Sequence, residues 1–118
     1  MITAGELKQR ILQVYNGVHQ NLFGLGLRQQ SIEFAANKIT IVDISTRVPI
    51  LKGLVDEKPV LVSRMDHLLI DVYKLRFMQC LKSELKLNIV AVLKDYDAAT
   101  ELSGTIIVLD RDVSCYYE

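Results

Sequence analysis

Residues 59–109 read PVLVSRMDHLLIDVYKLRFMQCLKSELKLNIVAVLKDYDAATELSGTIIVL, and this stretch decides the fold class. Its first half carries apolar side chains at steps of three and four residues, which predicts a helix over 59–85. Two short runs rich in β-branched residues follow, at 89–93 and 105–109, and they are typical of strands. We therefore expect a long helix followed by a β-hairpin, with residues 94–104 as a polar, turn-prone connection.

The first part of the chain shows the same order of patterns. A capping-box pattern at Thr3 predicts the start of a helix, and Gly24 ends its apolar periodicity. Residues 31–44 then alternate between apolar and polar side chains and are rich in isoleucine, so we expect a hairpin that turns at Asn37-Lys38. The sequence thus predicts an α+β fold of order αββαββ, with two helix-plus-hairpin units and an antiparallel sheet covered by helices.

Length and composition favour one globular domain spanning residues 1–118. Half of the residues are hydrophobic, which is enough to build a core, and Pro49 and Pro59 bracket a predicted short helical turn and linker. The 14 basic residues balance the 14 acidic ones, so the chain has no overall positive field that would attract nucleic acid.

The sequence favours the cytoplasm over a secreted or membrane-spanning location. Met1 is not followed by a basic segment and an apolar run, and no stretch of about 18 apolar residues could span a bilayer. Cys80 and Cys115 lie far apart without metal-ligand spacing, so we expect reduced thiols, no metal and no cofactor.

The predicted long helix is apolar around most of its circumference. A helix of this kind needs more than one neighbour, such as the sheet on one side and a second subunit on the other. The sequence therefore predicts a homo-oligomer, with a dimer as the simplest case. The candidate interface residues widen the apolar face beyond a narrow seam: Val62, Leu69, Tyr73 and Phe77.

Two polar segments are candidates for ligand binding. The connection after the predicted third strand could offer oxygen ligands to a hard cation from Asp95, Tyr96, Asp97, Thr100 and Glu101. It lacks the glycine and the terminal bidentate glutamate of a calcium loop, and the alternative is that its aspartates cap turns. In the linker, Arg47, Lys52 and Lys58 could form an anion pocket, or they could be ordinary solvated charges.

No catalytic set can be assembled from the sequence. His67 follows Asp66 on a helix, where adjacent residues point in different directions, and Cys80 lies in an apolar helix where a thiol is inert. The best candidates for acid-base chemistry would be Asp95, Asp97 and His67. We therefore expect a protein that is not an enzyme.

Three stretches carry a resemblance to a known family: Asn37-Lys-Ile-Thr-Ile, Arg47-Val-Pro-Ile-Leu-Lys-Gly-Leu54, and Leu93-Lys-Asp-Tyr-Asp-Ala-Ala-Thr-Glu-Leu-Ser-Gly-Thr105. Together they resemble the MpsC-like family, long catalogued as a domain of unknown function, over roughly residues 7–113. Some members of that family are similar to the third component of a sodium-translocating, membrane-potential-generating system. The resemblance implies a prokaryotic accessory protein and carries over no catalytic residue.

Two functions follow as hypotheses. The first is a non-enzymatic cytoplasmic accessory or regulatory protein that acts through protein contacts, with a membrane-associated complex as a possible partner and without membrane insertion of its own. The second is a sensor domain that binds a small molecule or ion at the 95–105 loop, because ligand-binding residues are often carried by loops on a rigid scaffold.

Overall fold

A computed structural model describes residues 2–118. Its elements, in chain order, are α1 (Ala4–Phe23), β1 (Arg28–Ala35), β2 (Lys38–Ile44), α2 (Pro49–Leu54), α3 (Pro59–Leu85), β3 (Ile89–Asp97), β4 (Leu102–Leu109) and a short 3₁₀ helix (Val113–Tyr116). The predicted αββαββ order is confirmed, with α2 as the short helical turn between the prolines. The long helix also has its predicted ends.

Helix α1 begins and ends where local chemistry places its boundaries. The Thr3 side chain accepts a hydrogen bond from the Glu6 backbone N–H, and the Glu6 carboxylate accepts one from Thr3, so the predicted capping box is present. At the other end Gly24 has φ of 69° and donates to the Gln20 carbonyl at 2.8 Å. This left-handed conformation suits glycine, and it turns the chain towards β1.

The two hairpins join into one antiparallel sheet with strand order β1-β2-β4-β3. Strands β2 and β4 form its centre and pair along their whole lengths, with Ile41 opposite Thr105. Each hairpin therefore contributes one central strand and one edge strand.

The helices cover one face of this sheet. Inward-facing residues of the central strands, such as Ile39, Ile41 and Ile107, are fully buried, whereas their neighbours along each strand are exposed or half-buried. Tyr15 of α1 packs between the sheet and α3, with its ring centroid 5.3 Å from those of both Tyr73 and Phe77. The core is thus a single layer between two helices and one sheet face.

Two sequence predictions about the hairpins need correction. The first hairpin turns at Ala36 and Asn37, one residue earlier than predicted, and Ala36 takes the positive φ of 54°. Asn37 instead stabilises the end of the sheet, because its side-chain amide donates a hydrogen bond to the Leu109 carbonyl at 3.2 Å. In the second hairpin, residues 94–104 are mostly strand, and the turn itself is only residues 98–101.

The predicted interface on α3 is also wrong for most of its residues. Val62, Tyr73 and Phe77 are at most 2% exposed and belong to the interior, and Leu69 is half-buried. The apolar side chains that widened the predicted stripe pack against α1, α2 and the sheet of the same chain. The side of α3 that faces outward carries different residues, Leu61, Leu68 and Leu75. Within residues 2–118, no helix combines the length and the apolar character that crossing a membrane requires.

Candidate functional site

A cluster of polar side chains lies inside the domain, at the end of the sheet where β2 stops and β4 begins. Asp43 of β2 and both Ser103 and Thr105 of β4 point to the helix-covered face and are at most 2% exposed. Each occupies an inward position in a strand whose other inward residues are mostly apolar. Burial of such groups is costly unless they are hydrogen-bonded, so their partners define the site.

Lys94 of β3 is at the centre of this cluster. Its Nζ donates to Tyr15 Oη at 2.8 Å, Ser103 Oγ at 2.8 Å and Thr105 Oγ1 at 3.1 Å, which accounts for all three protons of an ammonium group. The same Nζ lies 4.5 Å from the centre of the Tyr73 ring and 4.9 Å from that of Tyr15. Hydroxyl dipoles and aromatic faces therefore replace much of the water around this cation.

Tyr15 connects Lys94 to its nearest negative charge. The Tyr15 hydroxyl donates to Asp43 Oδ2 at 2.6 Å, a length typical of a hydroxyl that donates to a carboxylate. The Tyr73 hydroxyl donates to the Tyr15 backbone carbonyl at 2.7 Å and so holds α1 and α3 together at this level. Lys94 and Asp43 thus interact through a shared tyrosine hydroxyl rather than by direct contact.

Burial controls the ionisation of these groups. It lowers the pKa of the Lys94 ammonium to about 8, although the Asp43 charge acts in the opposite direction. Burial also raises the pKa of the Asp43 carboxyl, against the effects of the Tyr15 hydrogen bond and of Lys94. The pKa of the Tyr15 hydroxyl lies well above its ordinary value, first because of burial and then because of Asp43. At neutral pH, Lys94 is charged and Tyr15 keeps its proton.

A pocket opens beside this cluster, between α1, α3 and the end of the sheet. Its cavity volume is about 60 Å³, within a wider recess of about 500 Å³ that includes open solvent. Lys94 and Ser103 form part of its wall, with the backbone segment 45–48 on one side and the apolar side chains of Phe23, Leu69 and Ile70 on another. A pocket with an apolar wall and a few directed polar groups is the usual form of a small-molecule site.

Two nitrogen atoms in residues lining this pocket have no hydrogen-bond partner among residues 2–118. They are Nε2 of His19, whose residue is 4% exposed, and Nε of Arg47. Burial, together with the positive charge of Lys94, lowers the pKa of His19 to about 4, so its imidazole is neutral at pH 7. Both atoms are buried, so a molecule in the pocket would complete their hydrogen bonding only by reaching past the surface of the pocket wall.

The structure divides the predicted ligand-binding residues into two groups. Arg47 and Tyr96 line the pocket, where the Arg47 guanidinium pairs with Asp66 at 2.5 Å and lies 5.9 Å from the Tyr96 ring centre. The Glu101 carboxylate supports this group from the turn, because it accepts a hydrogen bond from the Arg47 backbone N–H at 3.1 Å.

The other predicted residues lie apart from the pocket. Asp97 accepts hydrogen bonds from the backbone and hydroxyl of Thr100, and Asp95 accepts one from the Tyr96 N–H, which are turn-stabilising contacts. Lys52 is exposed on α2 and does not line the pocket. The site therefore lies on the inner side of the β3–β4 hairpin rather than at its tip.

The sequence predictions missed five residues of the site: Tyr15, His19, Asp43, Lys94 and Ser103. The alternation of side chains along the strands indicated two of them. Asp43 points to the same side of its strand as the buried residues Ile39 and Ile41. Lys94 likewise points to the same side of its strand as the buried residue Val92. A charged residue two positions after a buried residue is itself predicted to be buried, provided that the strand includes it.

No group of three or more histidine, cysteine, aspartate or glutamate side chains in residues 2–118 is arranged to hold a metal ion. Comparison with protein-family models, curated proteins and solved structures found no match to this chain.

Proposed function

We propose that this chain is a cytoplasmic regulatory domain that binds a small organic anion in the pocket beside Lys94, without catalysing a reaction on it. The observation that supports this proposal is the positive charge of Lys94 beside the pocket, together with the unpartnered Nε2 of buried His19 in a lining residue. Both groups would complement a carboxylate or a similar polar head. The apolar wall would take the rest of the ligand.

The chemistry of the lining narrows the ligand class. Arg47 and Lys94 bring positive charge, and Asp66 offsets one of the two charges through its ion pair with Arg47. Asp43 offsets part of the Lys94 charge through the Tyr15 hydroxyl, so the site favours a singly charged anion over a polyanion. Phe23, Leu69 and Ile70 favour an apolar or aromatic body on that anion. A small monocarboxylate with an apolar body, such as benzoate or hexanoate, would combine these features.

A thermal-shift and NMR titration with benzoate and hexanoate tests the proposal, with benzamide as the uncharged control. A ligand at a hundred times its Kd stabilises the folded state by about 2.7 kcal/mol, which a melting curve resolves. We expect stabilisation by the anions and little by benzamide, with amide shift changes at residues 45–48 and at Tyr96. The absence of any binding by the anions would contradict the proposal.

The role of Lys94 in binding is tested by substitution and by pH. Lys94→Met should abolish anion binding, and Lys94→Met/Asp43→Asn repeats the test without a lone buried carboxylate. Lys82→Met, at an exposed position of α3, should bind like the parent protein. Because the pKa of Lys94 is about 8, affinity should fall as pH rises above 8, by up to about tenfold per pH unit.

A second candidate function is the accessory role that the resemblance to the MpsC-like family implies. The observation that favours it is the exposure of large apolar side chains on two surfaces, with Leu68 of α3 at 57% and Leu93 on the outer face of the sheet at 54%. Apolar side chains grouped on a surface favour contact with another protein. Loss of self-association or partner binding on Leu68→Lys, with anion binding unchanged, would separate this role from ligand binding.

A further inference from the structure

Three leucines form a straight row on the outward side of α3. Leu61, Leu68 and Leu75 are separated by seven residues each, which places them above one another at every second helical turn. They are 50%, 57% and 55% exposed, so the domain itself leaves about half of each side chain uncovered. We call these residues the leucine row.

Charged residues flank the leucine row in a pattern that is complementary to itself. Arg64 lies four residues before Leu68 and Asp71 three residues after it, and both are exposed on the same flank of the helix. The only ion pair described for Asp71 within residues 2–118 is to Lys74, at 3.8 Å between exposed or half-exposed groups, which contributes little. Arg64 and Asp71 can therefore form ion pairs with a partner that carries the opposite charge at each facing position.

We propose that α3 pairs antiparallel with α3 of a second copy of this chain, about a twofold axis that passes through Leu68. In this arrangement Leu61 faces the second copy's Leu75, and Arg64 faces the second copy's Asp71. The symmetry repeats both contacts, so one chain supplies the leucine row and the complementary charges for both sides. The partner is thus a second copy rather than a different protein.

The structure favours the antiparallel over the parallel pairing. A parallel pairing would place Asp71 beside Arg76, but it would leave Arg64 unpaired beside Leu69, which is half-buried and lines the pocket of its own chain. The antiparallel pairing brings Arg64 and Asp71 into contact with each other across the interface and does not involve Leu69. The short contact surface predicts a dimer that dissociates on dilution.

Light scattering over a concentration series tests the association. We expect the mass to rise from that of one chain, 13.4 kDa, towards twice that value as the protein approaches about 1 mM. Leu68→Lys should keep the protein at one chain's mass at every concentration. Leu93→Lys, on the outer face of the sheet, is the matched control and should associate like the parent protein. Both positions are exposed, so circular dichroism should show the folded state for each variant.

Two outcomes of this series would overturn the proposal. One is a parent protein that stays at the mass of one chain throughout. The other is an association that Leu93→Lys abolishes and Leu68→Lys does not, because the sheet face would then be the interface.

A charge swap tests the direction of the pairing. Arg64→Asp should weaken association by about tenfold or more, because it places two carboxylates opposite each other. The double substitution Arg64→Asp/Asp71→Arg should restore the association to that of the parent protein. Arg64→Asp without effect, combined with weakening by Asp71→Arg alone, would indicate the parallel pairing, in which Asp71 faces Arg76, and would contradict the proposal.

Discussion

At the scale of single residues, Lys94 shows how a small domain accommodates a charge in its interior. Three hydroxyls and two aromatic rings surround the ammonium. One of these hydroxyls, that of Tyr15, also donates a hydrogen bond to Asp43. Two buried opposite charges such as Lys94 and Asp43 add little to stability relative to apolar residues of equal volume, whereas loss of one of them is costly. The cluster is therefore sensitive to any change that removes a single group.

Tyr15→Phe tests this sensitivity, because it removes only the oxygen between Lys94 and Asp43. We expect the free energy of unfolding to fall by about 2–4 kcal/mol, since a buried cation and a buried carboxylate each lose a hydrogen bond. Urea unfolding measures the change. Tyr96→Phe, which loses one neutral hydrogen bond to the Ser45 carbonyl, should cost only about 1 kcal/mol. Equal losses for the two variants would show that the bridging hydroxyl has no special role.

At the scale of elements, the helices were more predictable than the hairpins. Helix boundaries depend on local signals such as the capping box at Thr3 and the glycine at position 24, and both act within a few residues. Hairpin boundaries depend also on how each strand pairs with its neighbour in the sheet. Lys94 was predicted in a connection because its polarity argues against a strand, yet its pairing with Thr105 keeps it in β3.

The turn of the first hairpin gives a prediction at this scale. Ala36 has φ of 54°, a left-handed conformation that costs a residue with a Cβ atom about 1–2 kcal/mol. Ala36→Gly should therefore raise the free energy of unfolding by about 0.5–1 kcal/mol after the entropic penalty of glycine. Ala35→Gly, one residue earlier in β1, should lower it by about 0.5–1 kcal/mol. Destabilisation by both substitutions in urea unfolding would contradict this account of the turn.

At the scale of the whole molecule, the α+β class and the element order followed from the sequence, but the way the hairpins join did not. Periodicity identifies an element and its buried face, whereas the pairing of β2 with β4 depends on the register between distant segments. The same limit applies to the pocket. It is formed by α1, α3 and three strands or strand ends, and no single segment carries its pattern.

The strand order predicts how protection is distributed through the sheet. Strands β2 and β4 have a paired neighbour on each side, whereas β1 and β3 are edges. Amide hydrogen exchange followed by NMR should therefore be slowest at buried central positions such as Ile41 and Ile107, with protection that approaches global unfolding. The outward amides of β1 should exchange first. Equal protection of edge and centre would contradict the observed order.

The inner face of the sheet differs between its two ends. Ile39 and Leu109 lie at one end and are apolar, whereas Asp43 and Ser103 lie at the other and are polar. The two hairpins have equivalent strand order, so identical halves would have had the same character at both ends. The difference between the halves therefore gives the interior one apolar end and one polar end. The apolar end belongs to the hydrophobic core, whereas the polar end holds the Lys94 cluster and adjoins the pocket.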